Sequence, residues 1–368
     1  MLEKNQRFKS LLYVLADAAL LFIGFLLANY IRFNYVRYFE PGGAGPALAV
    51  ARDPRNIIAG LATSLVLVLI YWVAGIYSTT RLRGLAERCH ACGCKLAAQI
   101  QPGDGRIGGP SVRYKVPISA SACPWMHVPR MRCHALTIDE IHELEEDFRR
   151  SVPMDSFLTS SGGLSPDAIF SLTAKQLPPY GGSLENRARF LTELIAICKE
   201  EGGADFPVIV KFTPDHYMDG EGYRAIDEGI ELAKLIVAAG ADALHVDAGC
   251  HENWPNAMPP AGMQQMTLQS RSAKIIRSVV DVPVMTHGRF GDVDKAEAAL
   301  RDGVCDIAVI GRGLLADPDL PNKVLSGRPD TIRPCISCNE GCIARVYNGE
   351  TATCALNPRC GHEDGSID

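Results

Sequence analysis

The sequence predicts an α/β chain: a partial TIM-type (β/α)8 barrel, preceded by two transmembrane helices and followed by a cysteine-rich C-terminal segment. Three observations carry that reading. Short apolar strands rich in Val and Ile alternate with amphipathic helices from Tyr180 onward, the pattern of parallel strands buried on both faces. Two apolar stretches near the start, Leu11 to Ile31 and Ile57 to Tyr77, each have the roughly 20 residues that a bilayer span requires. Near the end, Cys335, Cys338, Cys342 and Cys354 are spaced C-x2-C-x3-C-x11-C.

Bulk properties narrow the choices. The 368 residues are enough for about two domains, and 47% hydrophobic content allows a sizeable core. A net charge of -5 gives no electrostatic footprint for nucleic acid. Thirteen cysteines do not form the framework of a small secreted scaffold, and the last group has ligand spacing, which favours a reducing compartment.

The first apolar stretch carries Asp17 and Asn29; the second has no charged residue and ends near Tyr71 and Trp72. A cleaved signal peptide is the alternative for the first and a buried core helix for the second. Basic residues lie before, between and after them, so charge does not set the orientation. Two spans put both ends on one side, and a cofactor-loaded soluble part places that side in the cytoplasm. These residues, LLYVLADAALLFIGFLLANYIRF and YWVAGIYSTT, resemble the membrane anchor of polyprenyl-phosphate sugar transferases over residues 1–80. Such an anchor implies the membrane as a partner.

A soluble helix is predicted from Leu82 to about Ala91, and a strand from Lys95 to Gln101. Cys89, His90, Cys92 and Cys94 are close together but straddle a helix end, and no second ligand pair follows at zinc-finger spacing. Gly103 to Gly108 reads GDGRIG, a formal dinucleotide pattern, yet Gly109 and Pro110 follow where a helix must open; a plain loop is the better reading. The spacing of Ile138, Ile141, Leu144 and Phe148 predicts a helix over 135–150. Ser151 to Pro179 shows no clear period and reads as a loop. Beyond it come helix 183–201, strand 207–212, helix 222–239, strand 243–247, helix 269–278, strand 282–286, helix 293–301 and strand 307–310. With 95–101 this makes five strands of the eight a barrel needs. No convincing dinucleotide turn is present, so the repeat favours a barrel over a Rossmann fold.

In such barrels the working residues sit at the C-terminal ends of the strands, and phosphate binds at the loops after the last two. Those positions read Thr286-His287-Gly288-Arg289 and Gly311-Arg312-Gly313. Glycine allows close backbone approach and arginine supplies a charged fork, so a phosphate-bearing cofactor is expected; plain chain-turning glycines are the alternative. The four C-terminal thiols are suited to a 4Fe-4S cluster, with a structural zinc site or a set of unrelated buried cysteines as the other readings. His245 and His251, in and after a strand whose end faces that site, are candidate contacts or ordinary core histidines.

YGGSLENRARF (Tyr180 to Phe190), DALHVDAGCHENW (Asp242 to Trp254), GRGLLADPDLPNKV (Gly311 to Val324) and RPCISCNEGC (Arg333 to Cys342) resemble the old yellow enzyme family. The resemblance is to its branch of 2,4-dienoyl-CoA reductase, 2-enoate reductase and related NADH:flavin oxidoreductases, and it runs from about Leu82 to the C-terminus. It implies an FMN-binding barrel over residues 81–330 and a 4Fe-4S segment over 331–368, with Cys335, Cys338, Cys342 and Cys354 as ligands. It also implies Gln99 as a flavin contact, Lys211 as the basic residue near flavin N1 and O2, and Gly288, Arg289, Gly311 and Arg312 as the FMN phosphate site. The implied activity is NAD(P)H-dependent reduction of the activated C=C bond of enoates or enoyl and dienoyl thioesters. FAD and NAD(P)H domains of the family would begin where this chain stops, leaving a separate electron donor as a possible partner.

Two features of the family are missing. The segment carrying its substrate histidine and proton-donating tyrosine should fall between Arg150 and Tyr180, where SVPMDSFLTSSGGLSPDAIFSLTAKQLPPYGG stands with the length of an out-of-frame translation. The first barrel strands are replaced by the membrane stretch. Catalytic residues are therefore unassigned, and impaired turnover is expected. A non-catalytic membrane protein carrying an oxidoreductase remnant, or a tethered electron carrier using the cluster alone, are the competing readings.

Overall fold

The computed structural model describes residues 87–95, 97–100, 116–119, 128–151, 157–162, 179–220, 223–250 and 268–363. Met1–Leu96 and Ala97–Asp368 form two compact units. In the first, the described residues are one helical turn at 87–91 and the 92–95 corner, where the Cys92 and Cys94 N–H groups bond the Cys89 carbonyl at 3.1 and 2.9 Å. Both apolar stretches, 11–31 and 57–77, and the GDGRIG run lie outside the described residues. Among those described, no helix is long and apolar enough to cross a membrane.

The second unit is built on a parallel six-stranded sheet. Its strands are β1 (Ala97–Ile100), β4 (Phe157–Gly162), β5 (Val208–Phe212), β6 (Ala243–Val246), β7 (Val284–His287) and β8 (Ile307–Val309), in that spatial order. A separate two-stranded ladder pairs β2 (Ile118–Ser119) with β3 (His134–Ala135). Helices α1 (Ile138–Ser151), α2 (Leu184–Gly202), α3 (Ile226–Ala238), α4 (Leu268–Arg277) and α5 (Val293–Arg301) lie between strands in the chain. Short helices α6 (Arg312–Ala316) and α7 (Leu320–Leu325) follow β8.

One expectation is corrected here. The span 151–179, read as a loop, contains β4, which pairs with both β1 and β5. FLTSSG has too few branched apolar residues to announce a strand, but its position between two strands supplies ladder partners on both sides, and context overrides propensity. The sheet thus has six strands among the described residues.

Alternation sorts each strand's residues onto two faces. On β5, Val208, Val210 and Phe212 are buried among Phe190, Leu194 and Ile195 of α2 and Leu232 and Ile236 of α3. Leu244 and Val246 of β6 and Val284 of β7 continue that layer. The opposite face carries Lys211, His245 and His287, and Ile307 there is 44% exposed, so this face opens to solvent. α1 presents the predicted stripe: Ile141 and Phe148 are buried, and Leu144 packs beside them. It starts on a reciprocal cap, with Glu140 N–H bonding Thr137 Oγ1 at 3.3 Å and Thr137 N–H bonding Glu140 Oε2 at 2.8 Å. Ser183 and Asp292 cap α2 and α5 through Asn186 and Lys295 N–H groups.

An aspartate just before two of the strands ties three elements together. Asp242 Oδ2 accepts from the Val208 N–H that opens β5, and from Lys199 at the end of α2, both at 2.7 Å. Asp306 repeats the arrangement one layer on, accepting from Val284 N–H at 2.9 Å and Arg277 Nε at 3.0 Å. Both lie at the N-terminal ends of the strands, the end that secures the fold and leaves the other free for chemistry.

Candidate active site

At the C-terminal ends of β5, β6 and β7, charged and ring side chains meet on the open face. Lys211 Nζ pairs with Asp247 Oδ2 at 2.9 Å, His287 Nε2 lies 3.3 Å from Asp247 Oδ1, and His245 Nε2 lies 3.2 Å from His287 Nδ1. Register explains the meeting: Lys211 is opposite His245 across the β5–β6 ladder, and Asp247 follows His245 by two residues on the same face. Burial pushes the Asp247 carboxyl up, but His287 and Lys211 outweigh it and hold it well below the usual carboxylate range. Burial, reinforced by the neighbouring His287 and Lys211, lowers His245 to about 3, so it is neutral at physiological pH. Lys211 thus has an anionic partner, and sequence reasoning missed Asp247 as that partner. The signal was present, as a carboxylate two residues after a strand histidine.

The loops following β7 and β8 are in contact. Gly291 and Gly313 meet backbone to backbone; a Cβ on Gly313 would stand 2.8 Å from Gly291 Cα, so neither position accepts a larger residue without displacement. Beside this contact is a cavity of about 570 Å3, lined by His287, Gly288, Arg289, Gly311, Arg312 and Lys295 on one side and by Pro334, Cys335 and Ile336 on another. Arg289 has a left-handed backbone, φ 61°, a conformation disfavoured for side-chain-bearing residues. The four expected phosphate-site residues, Gly288, Arg289, Gly311 and Arg312, therefore come together. Gln99 lies on β1 opposite Thr159 of β4. His251 lies outside the described residues.

A second, smaller cavity adjoins the first. Cys335, Cys338, Cys342 and Cys354 all line it, with Arg312, Ile336, Asn339, Gly341 and Thr353. Two details bring the distant Cys354 to the other three. Thr353 N–H bonds the Gly341 carbonyl at 2.8 Å, and Gly341 has no side chain to hold the two segments apart; a Cβ there would stand 2.7 Å from Thr353 oxygen. Ser337 and Asn339 both have positive φ, 56° and 62°, which turns the chain sharply between the ligand positions. Ser337 N–H points at Cys335 Sγ, 3.4 Å away. Burial pushes the Cys342 thiol up, against backbone N–H groups and the nearby Arg312 guanidinium, which favour its thiolate. Among the described residues, no group of three or more His, Cys, Asp or Glu side chains is arranged to hold a single metal ion. Arg312, Cys335 and Ile336 line both cavities.

Similarity to known proteins falls on this same region. Residues 166–331 match the NADH:flavin oxidoreductase / NADH oxidase family. The matched residues include the loops after β7 and β8 and the strands β5 to β8. Over 301 residues the chain is 36% identical to the cinnamate reductase of Clostridium sporogenes, covering 76% of this chain and 45% of that protein. It is 35% identical over 292 residues to the NADH oxidase of Thermoanaerobacter brockii, covering 76% of this chain and 44% of that one. The chain spans less than half the length of these curated relatives. Among solved structures, a 2-naphthoyl-CoA reductase in complex with 2-naphthoyl-CoA aligns with TM-score 0.67 and 28% identity over 77% of this chain and 45% of that chain. Histamine dehydrogenase from Rhizobium sp. 4-9 aligns with TM-score 0.68 and 28% identity over 77% of this chain and 42% of that one. The fold is that of the α/β barrel flavoenzymes.

Proposed function

We propose that this chain supplies the FMN-binding barrel segment and a 4Fe-4S segment of an oxidoreductase that reduces activated C=C bonds of α,β-unsaturated carbonyl compounds. The observation that carries the reading is the pair of adjoining cavities: one bounded by the two glycine-tight loops, the other by four thiols, with Arg312, Cys335 and Ile336 in common. Similarity to a cinnamate reductase and to a 2-naphthoyl-CoA reductase supports an enoate or acyl thioester as substrate.

The residues present fit both groups. Gly288, Gly311 and the Gly291–Gly313 contact give backbone access to a phosphate, and Arg289 adds a cation on the same wall. FMN in the larger cavity would supply hydride transfer to the substrate alkene, and a 4Fe-4S cluster would supply electrons one at a time. Four thiols that surround a common space beside the flavin cavity suit a multi-iron cluster, whose irons take thiolate ligands. Lys211 offers a positive charge on the open face, held in place by Asp247, and such a cation opposes negative charge that builds on a reduced flavin ring. His287 is the titratable side chain that reaches from this cluster into the flavin cavity.

Cofactor analysis of the anaerobically purified full chain tests the reading. The expected result is FMN released on denaturation, and about four irons with four sulfides per chain. Dithionite-reduced protein should then be reoxidised by cinnamate. A chain that binds neither flavin nor iron overturns the proposal.

A further inference from the structure

Lys211 and Asp247 pair at 2.9 Å and together bring no net charge to the open face. Of the four groups in this cluster, His287 is the one that also lines the flavin cavity. Its hydrogen bonds run in one direction. The Asp247 carboxylate can only accept, so His287 Nε2 carries the hydrogen that points at Oδ1, 3.3 Å away; in the neutral ring Nδ1 is then the acceptor for His245 Nε2–H at 3.2 Å. That leaves His287 Nδ1 as the atom of the cluster that can take a further proton. The Lys211 ammonium has no lone pair, Asp247 is held as the carboxylate, and burial keeps His245 neutral. The His287 side chain is 32% exposed, so solvent reaches it.

We propose that His287 holds the proton that balances flavin reduction: Nδ1 takes a proton from solvent as negative charge builds on the reduced ring and returns it to solvent on reoxidation. This rests on the FMN reading above. Two electrons and one proton from an external donor add one negative charge to the ring, and one N–H bond formed at Nδ1 cancels it. His245 exchanges its Nε2–H for Nδ1–H through solvent, so that a lone pair meets the new donor and its own proton count is unchanged. The charges facing His287 are Lys211 from β5, Asp247 from the end of β6, Arg289 on its own loop, and Asp292, Asp294, Lys295 and Arg312 around the cavity. Its partner on β8, Val309, does not titrate. Lys211 opposes a proton on His287 and Asp247 favours it, and a new negative charge nearby tips that balance towards uptake. Arg289 and Arg312 keep their place at the phosphate.

Redox titration of the flavin in the full-length, FMN-loaded chain at a series of pH values tests this. Proton uptake linked to reduction makes the reduced-to-oxidised ratio at fixed potential fall roughly thirtyfold per pH unit in the wild type, against about tenfold in H287N, which keeps a donor towards Asp247 but holds no second proton. An FMN-loaded H287N chain with the wild-type pH dependence places the second proton elsewhere and overturns the assignment alone. If H287N fails to fold or to take up FMN, nitrogen NMR of the histidines in the wild-type chain decides. The His287 midpoint should lie about one pH unit or more higher with reduced than with oxidised flavin, tenfold in proton affinity, and His245 should change tautomer with it. An equal midpoint in both states overturns the proposal. Wild-type chain that takes up no FMN overturns the flavin reading itself and the assignment with it.

Discussion

At Asp247 one carboxylate has two neighbours: Lys211 pairs with Oδ2 and His287 lies against Oδ1. The same crowding keeps His245 neutral, and together they set an acid sensitivity with a definite sign. His245 has an ordinary value of 6.5 and a folded value of about 3. Between those values the unfolded chain binds more protons, so stability falls as pH drops from about 6.5 towards 3. Asp247 is depressed from 3.8; its contribution is present above that value and is lost as pH falls below it. Urea unfolding by circular dichroism should show the wild type losing stability across this range. The His245 contribution is at most about 1.4 kcal/mol per pH unit. His245→Asn should flatten the slope between pH 6.5 and 4. Identical profiles for the two proteins would assign the loss to other groups. Lys211 and His245 were both legible as strand residues at the working end of the barrel. Their partners were not, because a side-chain pairing depends on ladder register, and register belongs to two strands at once.

Among the elements, the aspartates before β6 and β8 perform the same task at two points of the sheet. Each gives the first N–H of the preceding strand a partner and neutralises a base at the end of a helix. Removing the carboxylate orphans a strand N–H, so Asp306→Ala and Asp242→Ala should each cost about 1–2 kcal/mol in urea unfolding, with FMN binding unchanged because these groups lie at the opposite end of the strands. A loss below about 0.3 kcal/mol at both positions would mean that water replaces the carboxylates. The helices and strands from Leu184 to Val309 were readable from their apolar period, and each observed element overlaps its expected range. β4 was not readable. Its residues carry little strand preference, and the two flanking strands create the environment that makes FLTSSG extended.

At the scale of the whole molecule, the apolar start of the chain brings in the membrane. The apolar stretches 11–31 and 57–77 carry no structural description, and we propose on their length and composition that they tether the chain, with the oxidoreductase segment facing the cytoplasm. Alkaline carbonate extraction checks this directly: the full chain should stay with the membrane pellet, and release into the supernatant would remove the anchor from the proposal. The sequence by itself singled out the candidate residues, since thiol spacing and glycine–arginine loops are local in the chain. It also determined the alternation of strands and helices, because burial on both faces of a parallel sheet leaves its mark on composition. Only the tertiary structure decided how the two motifs relate. The glycine–arginine loops after β7 and β8 and the four thiols are separate in sequence, and the packing of Arg312 against Asn339, with Gly341 against Thr353, makes them neighbours across one wall. Such contacts depend on shape at close range between segments far apart in the chain, which no single stretch of sequence records.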